Sequence, residues 1–177
     1  SIDSGSDITV SSDNDGDGVG GVRITAGGQV RAADDVTLTG SALSGVGGVT
    51  SIQIDSNGTT PQVLAGGNIT IGPDAAAPAN ADVVVNGVVL STGGGTRVRI
   101  SSHQDVFFGA DGDVIRSDTG TGGLISVFSD LATAGCTGGA ITMADGAVID
   151  GGSWQVEAVA GGSLTIGQII TTDLINV

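Results

Sequence analysis

The run Asp13-Asn14-Asp15-Gly16-Asp17-Gly18 is the part of this sequence best suited to chemistry. It sets carboxylates at alternate positions and glycine where the chain must turn, as oxygen-rich calcium loops do at their start. Ca2+ is a hard cation that prefers carboxylate and carbonyl oxygens. Asp13, Asp15 and Asp17, with nearby backbone carbonyls, are therefore the candidate metal ligands. A complete EF-hand loop needs a bidentate acid at its twelfth position, where Ile24 stands, so that motif is excluded. A solvated acidic turn is the plain alternative. Asp111-Gly112-Asp113 is a shorter echo of the pattern.

Other candidate chemistry is thinner. Asp34 and Asp35 are adjacent, and alternation along a strand would point them to opposite faces, which does not suit paired acid–base work. His103 is the only histidine and has no serine–aspartate arrangement around it; a surface turn is the expected place. Cys136 is the only cysteine, so no intrachain disulfide forms, and it reads as a small, partly buried residue. Trp154 lies in an alternating segment and reads as core. Arg23, Arg97 and Arg99 fall on outward positions and read as local ion-pair partners. None of this supports an enzyme.

Composition narrows the classes further. The net charge is −14, with 19 acidic residues of which only Glu157 is glutamate. Aspartate suits turns because its short side chain bonds nearby backbone N–H groups, whereas glutamate suits helices. Such a charge repels nucleic acid and anionic membranes and attracts cations. No apolar run is long enough for a membrane helix, so no membrane insertion is expected. There is no signal peptide and no initiator Met, which suggests a mature fragment or an excerpt of a longer chain.

Repetition supplies the elements that must hold these residues. One pattern recurs: a turn-favouring or small residue, then apolar, outward, apolar. Its copies are Asp7-Ile8-Thr9-Val10, Asp35-Val36-Thr37-Leu38, Asn68-Ile69-Thr70-Ile71, Asp105-Val106-Phe107-Phe108, Ala140-Ile141-Thr142-Met143 and Ser163-Leu164-Thr165-Ile166. The central residues form one threonine column, interrupted by Phe107. A single broken column argues for β-propensity rather than an ice-binding array.

A second series follows Gly-Gly pairs: Val22-Arg23-Ile24, Ile52-Gln53-Ile54, Val98-Arg99-Ile100, Ile125-Ser126-Val127 and Trp154-Gln155-Val156. Its one long interval predicts an insertion near 73–81, where Pro73 and Pro78 bracket alanines. A weaker third series holds Val83-Val84-Val85, Val114-Ile115, Val148-Ile149 and Ile169-Ile170. Glycine corners are expected to permit positive φ.

These readings predict an all-β chain. It is expected to be a single parallel β-helix or solenoid over residues 1–177, with about five to six coils of roughly 28 residues and three short strands each. Period-2 alternation turns valine and isoleucine inward, and stacked coils join them into one core. A β-sandwich is the competing fold, but the repetition argues against it.

Gly66-Gly67-Asn68-Ile69-Thr70-Ile71 and Gly138-Gly139-Ala140-Ile141-Thr142-Met143-Ala144-Asp145-Gly146-Ala147-Val148-Ile149-Asp150 carry a resemblance. They resemble the degenerate repeats of filamentous haemagglutinin-like passenger regions and giant bacterial surface proteins. The resemblance implies a right-handed β-helix, export to the cell surface, and a role in adhesion, biofilm matrix or extracellular filaments. It brings no catalytic motif.

The expected function is a structural extracellular protein that forms or extends a fibre, filament or surface matrix by stacking coils. The alternative is an adhesin stalk presenting a receptor- or glycan-binding surface. No cap is evident at either end, because Ile8-Thr9-Val10 begins almost at once and Leu174-Ile175-Asn176-Val177 still reads as strand. The expected partners are copies of the chain stacked head to tail, or adjoining segments of a larger chain. Ile2, Ile8, Val10, Leu174, Ile175 and Val177 are the expected assembly residues at the ends, with Phe107 and Phe128 on the sides.

Overall fold

The structure is a computed structural model that describes residues 1–13, 15–43, 49–58, 60–110, 115–117 (backbone only), 123–130 and 138–177. Strands and turns make up the described residues, without a helix. In chain order the strands are β1 (Ile2–Ser4), β2 (Ile8–Ser11), β3 (Val22–Ile24), β4 (Val30–Ala32), β5 (Val36–Gly40), β6 (Val49–Ile54) and β7 (Pro61–Ala65). Next come β8 (Ile69–Pro73), β9 (Ala81–Val85), β10 (Val88–Ser91), β11 (Arg97–Ser101), β12 (Val106–Phe108), β13 (Ile115–Ser117) and β14 (Leu124–Phe128). The last are β15 (Ile141–Met143), β16 (Val148–Gly152), β17 (Gln155–Val159), β18 (Leu164–Thr165), β19 (Gln168–Thr171) and β20 (Ile175–Asn176).

The chain deals these strands to three sheets in strict rotation. The first sheet runs β1-β4-β7-β10-β13-β16-β19, the second β2-β5-β8-β11-β14-β17-β20, and the third β3-β6-β9-β12-β15-β18. Neighbours within each sheet pair in parallel, for example Thr9 with Thr37, Val98 with Ile125 and Val106 with Ile141. The protein is thus all-β with parallel sheets, an order compatible with a β-solenoid.

Alternation builds the core. In the second sheet Val36, Ile69, Val98 and Ile125 occupy one register column and are fully buried. In the third, Ile52, Val83 and Val106 do the same. Burying each such side chain contributes about 1.5–3 kcal/mol, and no single strand could do so alone.

Three expectations change. The threonine column is split between two sheets. Thr9, Thr37 and Thr70 align in the second sheet, whereas Thr142 and Thr165 align in the third beside Phe107. The long interval of the Gly-Gly series marks a change of sheet: Val22-Arg23-Ile24 and Ile52-Gln53-Ile54 lie in the third sheet, whose next strand is Val83-Val84-Val85, whereas Val98-Arg99-Ile100 and the later members lie in the second. Residues 74–80 bridge the second and third sheets, and Asp74 follows its second-sheet strand at the same corner as Ser12 and Ser41 follow theirs. Finally, two sheets hold seven strands, more than the five or six rungs expected. The first-sheet strands at Ile2, Val63 and Val89 carry neither a threonine centre nor a Gly-Gly lead, and the one at Val30 follows Gly27-Gly28 but falls outside the series, so the repeat pattern passed over them.

The aspartate or asparagine that leads several strands has a definite task. Asp7 Oδ1 accepts the Asp35 N–H (3.0 Å), Asp35 Oδ1 accepts the Asn68 N–H (2.6 Å), and Asn68 Oδ1 accepts the Arg97 N–H (2.9 Å). Each corner side chain thereby ties one rung to the next. The Gly-Gly pair before Asn68 leaves room for this ladder. A Cβ on Gly66 would lie 2.0 Å from the Ala33 carbonyl oxygen, and one on Gly67 would lie 2.2 Å from Asp35 Oδ1. Close approach, rather than positive φ, requires glycine at these two positions.

A second ladder links Asp82 Oδ1 to the Asp105 N–H (3.0 Å) and Asp105 Oδ1 to the Ala140 N–H (2.7 Å). Burial raises the Asp82 carboxyl above its ordinary range; the Asp105 N–H opposes this, and the Asp105 charge adds to it. A raised carboxyl contributes most below its unfolded value of about 3.9, and that contribution is lost as pH rises through the folded value. Asp82→Asn keeps an oxygen acceptor without the charge. It is expected to raise the melting temperature at neutral pH, with the gain vanishing near pH ~3. An unchanged melting temperature at neutral pH would contradict this.

Candidate functional site

The acidic corner is organised by Asp13. Its Oδ1 accepts the N–H groups of Gly16 (2.9 Å) and Asp17 (3.1 Å), and its Oδ2 accepts the Gly18 N–H (2.9 Å) and the Ser41 hydroxyl (2.6 Å). Gly16 and Gly18 adopt positive φ, which lets the loop curl so that these donors converge. Ser41 is fully buried, and its Oγ also lies 2.6 Å from Asp74 Oδ1. A hydroxyl has one hydrogen, so it donates to one carboxylate at a time. The corners of three successive rungs are thereby joined through one serine.

Asp13, Asp15 and Asp17 place carboxylate oxygens within 4.8 Å of one another, so the structure brings the predicted ligands together. Asp15 and Asp17 are exposed. Asp17 Oδ1 accepts the Val19 N–H at 2.8 Å. Asp74 Oδ2, beside the cluster, is buried without a hydrogen-bond partner. Sequence reading missed Ser41 and Asp74, whose link to Asp13 is visible only once the corners are stacked. Asp111 and Asp113 lie outside the described residues, as does Cys136.

The Ser41 hydroxyl is the chief cause that holds the Asp13 carboxyl below its ordinary value; the N–H groups of Gly18 and Gly16 add to this, and burial works against it. A lowered carboxyl contributes stability above its unfolded value, about 3.9, and loses it as pH falls through the lower folded value. The stability gap between the native chain and Asp13→Ala is expected to be widest at neutral pH and to close below about pH 4. Melting temperatures across that range check this; a gap that persists in acid would contradict it.

The ends form the other candidate surface. At one end Ile2 is 52% exposed, and a shallow groove runs between Ile2, Arg23, Ile24 and Val30. At the other, Leu174 is 58%, Ile175 45% and Val177 65% exposed. Ile175 aligns with the buried Val156, so it belongs to a core column. Ile8 and Val10 are placed differently. Ile8 turns inward against Val36 and is buried, and Val10 is half-buried, so neither offers much free surface.

Of the side positions, Phe107 faces outward and is 40% exposed. Phe128 is half-buried beneath the Arg99 guanidinium, which sits 5.4 Å from its ring centroid. Arg23 pairs with Asp55 at 2.9 Å, as expected of an outward arginine. His103 Nδ1 lies 3.0 Å from the Pro78 carbonyl oxygen. Trp154 is fully buried in the core. Comparison with protein-family models, with curated proteins and with solved structures finds no match to this chain.

Proposed function

We propose that this chain is a structural extracellular protein that builds a fibre, filament or surface matrix by stacking coils end to end. On this reading the strands form six coils of three strands and two strands of a seventh, with the right-handed sense that the resemblance implies, and such a body would span about 30 Å at roughly 4.8 Å per rung. The observation that carries this reading is the contrast between core columns and their ends. Val156 is all but fully buried under Ile175, while Ile175 itself, with Leu174 and Val177, stands open to solvent. Apolar ends with unpaired strand edges are templates for further strands, and a head-to-tail contact that does not close generates open filaments. Export to the cell surface rests on the resemblance carried by the Gly-Gly-Asn-Ile-Thr-Ile motif. Sedimentation velocity of the 177-residue chain at neutral pH tests the stacking. A concentration-dependent series of elongated species is expected; a monodisperse monomer at all concentrations would overturn the reading.

Calcium at the acidic corner is a second reading, favoured by the convergence of Asp13, Asp15 and Asp17 and by the buried, unpartnered Asp74 Oδ2. It is the weaker one, because four protein donors already fill the Asp13 carboxylate. A ligand bound only by the folded state must raise its stability. Millimolar Ca2+ is expected to raise the melting temperature, and Asp15→Asn with Asp17→Asn to abolish the shift. No shift in the native chain would sink this reading.

A further inference from the structure

Two Asn-Gly pairs stand in this chain, Asn57-Gly58 and Asn86-Gly87. An asparagine before glycine is open to attack by its own main chain. The glycine nitrogen adds to the asparagine Cγ, the Cγ–Nδ2 bond breaks, and ammonia leaves with the proton. The product is a five-membered succinimide ring. A side chain on the second residue hinders this closure, and glycine has none. The dipeptide is the same at both places, so the fold must set the difference between them.

One glutamine meets both pairs, with opposite effect. Gln62 is fully buried. Its Nε2 donates to Asn57 Oδ1 (2.5 Å) and to the Thr60 carbonyl oxygen (2.6 Å), while its Oε1 accepts the Val88 N–H (2.8 Å). At Asn57 this donor polarises the amide carbonyl that the Gly58 nitrogen must attack. It also stands where that oxygen gains negative charge during the attack. The Gly58 N–H donates to Ser56 Oγ (3.0 Å), so a proton acceptor already lies against the attacking nitrogen. Asn57 and Gly58 are exposed, and a Cβ built on Gly58 would meet nothing within 4 Å. Ring closure there displaces no packed neighbour.

The second pair is held fast. Gly87 is buried, and a Cβ on it would lie 2.4 Å from Gln62 Oε1 and 3.0 Å from the Asp55 carbonyl oxygen. The Asn86 N–H donates to the Ile54 carbonyl oxygen (2.8 Å). Asn86 Oδ1 packs against Gly109 of the next rung, 2.1 Å from where a Cβ would stand. Its amide must leave that packing before it can reach the Gly87 nitrogen.

We propose that Asn57-Gly58 is a self-modifying site, where the native fold promotes succinimide formation and loss of ammonia while the same fold protects Asn86-Gly87. Water then opens the ring at either carbonyl. One opening leaves aspartate at position 57. The other leaves an isoaspartyl link, which adds a carbon to the main chain. Either product adds negative charge to the corner between β6 and β7, and Gln62 Nε2 keeps the Thr60 carbonyl as a partner. Coil stacking has no part in this chemistry, which is confined to one chain.

The test incubates the full chain at mildly alkaline pH, folded or in urea, and follows ammonia release together with peptide mapping by mass. In the folded chain Asn57 is expected to lose its amide about tenfold or more faster than Asn86, and faster than Asn57 itself does in urea. In urea the two pairs are expected to react at similar rates. Gln62→Glu keeps an acceptor for the Val88 N–H but removes the donor to Asn57, and is expected to slow the loss about tenfold. Ser56→Ala removes the proton acceptor and is expected to slow it by a similar factor, about tenfold. Should Gln62→Glu fail to fold, Ser56→Ala and the comparison with urea decide. Equal loss at both pairs in the folded chain, slower loss at Asn57 when folded than in urea, or a native rate in Ser56→Ala would each overturn the proposal.

Discussion

Trp154→Ala is expected to cost about 3–5 kcal/mol, the range for deleting a large buried aromatic side chain. Trp154 heads the largest fully buried side chains and sits among core residues near the open end. The neighbouring strands cannot close over the void, because backbone ladders hold them at fixed spacing. Its partner is a glycine. A Cβ on Gly123 would lie 2.0 Å from Trp154 Cδ2, so the indole occupies the space that any side chain at Gly123 would need. Gly123→Ala is therefore expected to cost about 1–3 kcal/mol by overpacking. That cost is expected to shrink to near zero in a Trp154→Leu background. Urea unfolding of the two single variants and the double variant closes the cycle. Additive costs would mean that Gly123 matters for some other reason.

Ile175→Asp is expected to abolish end-to-end growth while leaving the folded chain intact. In the free chain Ile175 is 45% exposed, so a polar replacement meets water and the melting temperature changes little. In a stack the same position lies in a core column, where an unpaired carboxylate costs several kcal/mol. The concentration needed to form rods is expected to rise about a hundredfold or more. Mixed with native chain, the variant is expected to act as an end cap, adding to a rod by its intact β1 end and blocking further growth. Rod length by electron microscopy should then fall as its fraction rises. Rods of native length in any mixture would contradict stacking through this face.

The sequence made the second- and third-sheet strands legible because each announces itself twice, by alternation and by a corner residue. Asp7, Asp35 and Asn68 led their strands in the repeat pattern, and they prove to be the side chains that accept the next rung's N–H. The first-sheet strands were harder to read. Ile2 and Val30 sit in short segments without an aspartate or asparagine lead, and the side-chain tie beside Val63, in which Gln62 Oε1 accepts the Val88 N–H (2.8 Å), comes from a glutamine that the pattern did not mark, so only pairing reveals the column. The split of the threonine residues was also hidden, since Thr37 and Thr142 look alike in sequence yet face outward from different sheets.

The acidic corner was half legible. Alternate carboxylates and glycines marked Asp13, Asp15 and Asp17, but the dominant interaction of Asp13 is with Ser41, one rung away. Nothing local to either residue encodes that contact. A signal existed in the stacking: Ser41 and Asp74 follow the second-sheet strands at the same corner as Asp13. At the ends, Ile2 and Ile8 read alike in sequence, but Ile8 turns into the core from the corner-tied second sheet while Ile2 is exposed on the first.

Whether growth runs along the stack is decided by X-ray fibre diffraction from aligned rods of the 177-residue chain. Coil stacking sets every strand across the fibre, so the inter-strand spacing of about 4.8 Å must fall on the meridian. Side-by-side association through Phe107 or Phe128 would instead put that spacing away from the fibre axis, and such a pattern would contradict end-to-end stacking.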